Sequence, residues 1–162
     1  MDKELTILFV CTGNTCRSSM AEAIAKQKIK EMDLPPEKSE IKIMSAGTGA
    51  FPGCPASPMA VEVLKRKNID LSEHKSRRVS AEMIKEADYI FTMTVIQKQQ
   101  VLFLDPAAKG KTFTLKEFAY GDHAWNANID DPFGGDENCY EECREQLAEA
   151  ISIILEKIIN LG

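Results

Sequence analysis

Leu5 to Val10, LTILFV, is an almost unbroken apolar run, and it constrains the fold more than any other stretch of this chain. A strand with one wet face alternates apolar and polar residues; a continuous run belongs to a strand covered on both faces, as in a parallel sheet. Similar short runs recur at Ile41–Ser45, Tyr89–Met93 and Lys111–Leu115. Between them lie segments with helical spacing: Met20 to Met32, Pro58 to about Lys67, and Ala81 to Glu86. Ser18 can cap the first of these, and Ser19-Met20-Ala21-Glu22 alternatively fits a capping box. Leu34-Pro35-Pro36 ends it, because proline cannot continue a helix. The last helix, about Glu137 to Ile159, carries an apolar stripe of Leu147, Ile151, Ile154, Leu155 and Ile158.

Strands alternating with helices predict an α/β fold: three layers, α/β/α, around a central four-stranded parallel sheet. The length of 162 residues fits a single domain, residues 1–162, able to bury roughly two-thirds of its unfolded surface. The net charge of -5, with only a short basic cluster at Lys75, Arg77 and Arg78, argues against nucleic acid as a partner. No stretch approaches the ~18 apolar residues of a membrane span, and MDKELTILFV does not read as a signal peptide. With five cysteines (Cys11, Cys16, Cys54, Cys139 and Cys143) and no secretion signal, the expected compartment is a reducing cytoplasm.

Ligands of parallel α/β sheets sit beyond the carboxyl ends of the strands. Cys11 stands at such an end, and the stretch that follows, CTGNTCRS, leads into the first helix. A loop entering a helix N-terminus offers unpaired amides and the positive end of a dipole, which suits phosphate. Gly13 is expected to let the loop curl, so that the amides from Thr12 to Arg17, including those of Asn14, Thr15 and Cys16, converge. Arg17 adds a planar fork of donors. The same groups should favour the Cys11 thiolate, with a depression of ~3 units expected from comparable helix N-termini. The result is a nucleophile aimed into a phosphate cradle. Rival patterns fit less well. Neither a nucleotide P-loop nor a dinucleotide glycine fingerprint is present, and the cysteine spacings are not those of a zinc ribbon.

The loop resembles the catalytic loop of the low-molecular-weight protein tyrosine phosphatase family. SAGT at 45–48, IDLSEHKSR at 69–77 and DPFGG at 131–135 fall in the order of that family's landmarks. The resemblance implies a cysteine-dependent protein phosphatase. Cys11 would be the nucleophile and form a cysteinyl-phosphate. Arg17 would hold the phosphoryl oxygens, and Ser18 would hydrogen-bond the Cys11 sulfur. Asp131 would be the general acid and then the base. Asn14, Ser45 and His74 would support the loop, Phe51 and Phe133 would wall the cleft, and Cys16 would pair reversibly with an oxidised Cys11. One departure is Ser19, where the family usually has proline.

The combination of CTGNTCRS with DPFGG is most similar to the family's bacterial protein-arginine-phosphatase branch, with Thr15 where tyrosine-directed members carry a bulky aliphatic residue. Phosphoarginine is therefore the favoured substrate, with phosphotyrosine the alternative. Arsenate reductases share the fold but need a relay pair of cysteines, and no Cys lies between His74 and Lys116. A phosphoryl-carrier module is the non-catalytic alternative. Expected partners are phosphorylated proteins and inorganic phosphate, with neither membrane nor nucleic acid, and a monomer or weak dimer is expected. No cofactor or metal is implied.

Overall fold

The computed structural model describes residues 4–38, 40–122 and 126–161. Strands β1 (Leu5–Cys11), β2 (Ile41–Gly47), β3 (Tyr89–Thr92) and β4 (Thr112–Thr114) form one sheet in the order β2-β1-β3-β4, every neighbouring pair parallel. The side chains of β1 alternate between two apolar cores. Ile7, Phe9 and Cys11 pack with residues of α1 (Arg17–Glu31), α2 (Pro58–Lys65), α5 (Leu115–Tyr120) and α6 (Glu137–Leu161). Leu8 and Val10 join the second core, with Ile84 of α3 (Ala81–Glu86) and Val101 of α4 (Val95–Leu104). This is why LTILFV has no polar alternation: both faces of β1 are dry. At about 1.5–3 kcal/mol for each large apolar side chain fully buried, the central strand anchors the fold.

The first helix departs from the sequence expectation. It begins at Arg17, with Cys16 as its N-cap and no side-chain cap. Ser18 does not cap, because its hydroxyl is engaged by the Cys11 sulfur at 2.8 Å. Glu22 does not close a capping box either; its carboxylate accepts from Ser45 Oγ at 2.7 Å. Ser19 donates to the Cys16 carbonyl at 2.9 Å, tightening the first turn from inside. Two helices were not expected, α4 and α5, and each opens on a capping box, Thr94 with Gln97 and Thr114 with Glu117. The second shortens the expected strand at 111–115, since Leu115 starts α5. Along α4 the buried residues are Gln97 and Val101, so a polar residue holds the inward position and the apolar period is hidden.

The sheet fixes the start of the phosphate loop through β2. Thr48 N–H donates to the Cys11 carbonyl at 2.9 Å and Gly49 N–H to the Thr12 carbonyl at 3.0 Å. This close approach requires Gly47, where an added Cβ would sit 2.2 Å from the Thr12 oxygen. Overpacking of this kind costs about 1–3 kcal/mol. Gly47→Ala should therefore lower the melting temperature by about 3–10 °C, read by calorimetry. An unchanged melting temperature would show that the two strand ends are free to separate.

Candidate active site

β1 ends at Cys11 and α1 starts at Arg17, so the intervening loop has only five residues in which to reverse the chain. The turn is made at Asn14, whose φ is 58°; Gly13 has no positive φ. The curl expected of Gly13 is thus made one position later, at a residue type that tolerates the left-handed conformation and whose side chain can be held in place.

Asn14 is fully buried and every polar group it has is bonded. Its backbone N–H reaches the Cys11 sulfur at 3.2 Å. Its side-chain oxygen accepts the Arg77 N–H at 2.9 Å, which orients the amide so that Nδ2 donates to Ser18 Oγ at 2.8 Å and Ser45 Oγ at 3.0 Å. Its carbonyl lies 2.6 Å from His74 Nε2; since a carbonyl only accepts, His74 carries a proton on that nitrogen. With Asn14 donating to Ser18, the Ser18 hydrogen is available to the Cys11 sulfur at 2.8 Å in preference to the Ala46 carbonyl at 3.4 Å. Among the described contacts, Ser45 and His74 reach Asn14, not the sulfur.

Burial pushes the Cys11 thiol up, opposed by the Ser18 hydroxyl and amide, by Arg17 and by the Asn14 amide. The depression expected from the loop's donors is thus outweighed by desolvation of a sulfur at the pocket floor. Arg17, at the start of α1, is buried. Its Nη1 donates to the Ile129 carbonyl at 2.9 Å, and Nη2 lies 3.5 Å from an Asp131 carboxylate oxygen. Asp131 is half exposed and also accepts the Phe133 N–H at 3.1 Å, which closes the DPFGG turn.

A pocket of about 230 Å³ is lined by residues 11–17 together with Asp131 and Phe133. It collects Cys11, Thr12, Gly13, Asn14, Thr15, Cys16 and Arg17 on one side and Asp131 on the other. Ser18, Ser45 and His74 stand behind the loop. Phe51 is not among the lining residues, and the residue is 82 % exposed. Cys16 is a free thiol buried against Ser57 Oγ at 3.4 Å and Tyr140 Oη at 3.5 Å. Of the α6 cysteines, Cys139 is exposed; Cys143 is buried, and burial pushes its thiol up to about 12, leaving it a neutral packing group. Tyr140 and Gln97 were not singled out from the sequence, and Glu22 only as a capping-box residue. The spacing Thr94-x-x-Gln97 is a capping-box signal that would have found Gln97. Among the described residues no cluster of three or more His, Cys, Asp or Glu side chains is placed to hold a metal ion, and no helix is long and apolar enough to cross a membrane.

The family model for low molecular weight phosphotyrosine protein phosphatases matches residues 6–160. A protein-arginine-phosphatase of Bacillus subtilis is 39% identical over 147 residues, covering 91% of this chain and 92% of its own. A probable low molecular weight protein-tyrosine-phosphatase, EpsP, of Ralstonia nicotianae is 35% identical over 157 residues, covering 97% and 98%. Among solved structures, a cysteine-to-serine mutant of the YwlE arginine phosphatase with a phosphorylated active-site serine has a TM-score of 0.87 at 36% identity, covering 95% of each chain. A buried cysteine, an arginine and an aspartate around one small pocket, on a chain matched over almost its whole length, lead to one conclusion: this chain belongs to the low molecular weight phosphotyrosine protein phosphatase family and is a protein phosphatase.

Proposed function

We propose that this protein removes the phosphoryl group from phosphoarginine in proteins, through a cysteinyl-phosphate on Cys11, with residues 1–162 acting as one domain. The observation that carries the reading is the single pocket in which the Cys11 sulfur, the Arg17 guanidinium and the Asp131 carboxylate converge. The Cys11 thiolate attacks phosphorus; the S–P bond forms as the bond to the leaving nitrogen breaks, and Asp131 gives that nitrogen a proton. Water then attacks phosphorus and loses its proton to Asp131. The S–P bond breaks, returning the thiolate and releasing inorganic phosphate. Arg17 and the loop amides take the charge that spreads over the phosphoryl oxygens. Because this positive potential comes from the chain itself, the mechanism calls for no metal ion or cofactor.

A guanidine nitrogen leaves only when protonated, so the half-exposed Asp131 on the pocket wall suits it. Thr15, half-buried on the loop side of the pocket, brings a hydroxyl and little bulk, which favours a thin polar side chain over an aromatic ring. Phe133 walls the pocket, and Phe51 is read as an outer contact for the substrate chain. Cys16 is read as the thiol that condenses with an oxidised Cys11, releasing water and forming a reversible disulfide. The relatives' names support both substrates, protein-arginine-phosphatase for one and protein-tyrosine-phosphatase for another. The chain is further read as a cytoplasmic monomer or weak dimer without nucleic-acid or membrane partners.

The direct experiment is kcat/KM on a phosphoarginine and a phosphotyrosine peptide side by side, in EDTA, with Cys11→Ser as the blank. The phosphoarginine peptide should be preferred about tenfold or more, and Thr15→Ile should reduce that preference by a similar factor, a pocket change worth about 1–3 kcal/mol. A phosphotyrosine preference in the wild type would make Thr15 incidental. Ser18 gives a second outcome. Its hydroxyl stabilises the thiolate, so Ser18→Ala raises the Cys11 pKa further and reduces reactivity at any pH below it. The midpoint of the pH dependence of iodoacetamide alkylation should move up, because the Ser18 hydroxyl is the largest of the contacts that oppose burial at the Cys11 sulfur. A midpoint that stays put would remove Ser18 from the chemistry.

A further inference from the structure

One buried polar side chain beside the phosphate loop has no part in the chemistry above. Gln97, on the first turn of α4, is only 2% exposed. Its Oε1 accepts the N–H groups of Met93 and Thr94, each at 3.0 Å, and its backbone N–H is held by Thr94 Oγ1 at 3.2 Å. Those bonds are the helix cap. The remaining one is not: Nε2 donates to Thr12 Oγ1 at 3.0 Å, reaching the residue that follows Cys11.

The turn that Gln97 grips also carries the opposite wall of the pocket. The Met93 carbonyl accepts the Ile129 N–H at 2.8 Å, and the Val95 N–H donates to Asn128 Oδ1 at 2.9 Å. The Ile129 carbonyl in turn takes Arg17 Nη1 at 2.9 Å, and Asp131 follows two residues later. One side chain therefore stands between the first residue of the loop and the segment that pairs with Arg17 just after it. An apolar residue of similar length would fill the same space inside α4. The amide serves both ends at once, its oxygen accepting from the strand end and its nitrogen donating to Thr12.

We infer that Gln97 is a positioning residue for phosphoryl transfer, tying Thr12 to the Met93–Val95 turn and so setting the distance between the phosphate loop and Asp131. The inference rests on the roles proposed for Cys11, Arg17 and Asp131. Phosphate affinity comes from the loop amides and Arg17, which Gln97 does not touch. Slack between loop and Asp131 acts on the transition state, so kcat falls while KM does not.

The experiment uses Gln97→Met, Thr12→Val and the double variant, with wild type and Cys11→Ser as references. Phenyl phosphate, a poor leaving group, is the substrate. Kinetics, competitive inhibition by inorganic phosphate and melting temperature are read together. Each single variant should lose kcat about tenfold, since small misplacements near the reacting atoms carry such costs, with KM and the phosphate inhibition constant within about twofold. The double variant should be no worse than the worse single one, because both changes cut the same bond. Losses that multiply, or a kcat within about twofold of wild type, would overturn the inference and leave Gln97 a helix cap. Thr12 is exposed, so Thr12→Val decides the matter even if Gln97→Met does not fold. Wild-type turnover no better than Cys11→Ser would overturn the phosphatase reading itself, and this inference with it.

Discussion

Asn14 holds a left-handed backbone conformation at the tip of a five-residue loop, and the site is built outward from it. The conformation costs an L-residue about 1–2 kcal/mol. Five hydrogen bonds to Cys11, Ser18, Ser45, Arg77 and His74 offset it, each worth about 1 kcal/mol net. The balance favours the turn, with several partners sharing the compensation. Those partners come from β1, α1, β2 and the segment leading to α3, so the loop takes its shape from the completed fold.

The same network gives the sulfur its surroundings. A carboxylate at Glu22 fixes the Ser45 hydroxyl, and Asn14 donates to both hydroxyls, leaving the Ser18 hydrogen free for Cys11. Burial works against ionisation of that sulfur, so the donors matter because they oppose a large desolvation cost. Arg17 is restrained by the Ile129 carbonyl as well as by Asp131, which fixes its guanidinium at the pocket in advance of any phosphoryl group. Preorganisation of this sort is where most electrostatic catalysis originates.

Local signals were enough for β1 and the loop after it, because an apolar run and a Cys-to-Arg loop are contiguous and carry their own physics. The parallel sheet followed from strand–helix alternation. Two other features depended on distant partners. Ser18 and Glu22 look like helix caps locally, and lose that role to Cys11 and Ser45, which lie far away in sequence or across the loop. The φ of Asn14 is imposed by bonds to residues as distant as Arg77, whereas composition points to the neighbouring Gly13. The helix at Val95–Leu104 hides because its inward positions are a glutamine and a valine, while Ile96 and Phe103 face solvent. The pairing of Asp131 with Arg17 could be anticipated only from the family's motif order.

The claim at the centre is that Cys11 carries the phosphoryl group during turnover. It is tested most directly by mass spectrometry of protein quenched in acid while an Asp131→Asn variant turns over p-nitrophenyl phosphate. With a good leaving group the first transfer needs no proton, while hydrolysis of the intermediate lacks its base, so the phospho-enzyme should accumulate. One phosphoryl group on the peptide containing Cys11, and none in Cys11→Ser handled identically, is the expected result. A phosphoryl group on another residue, or product released with no phosphoprotein at any quench time, would contradict it.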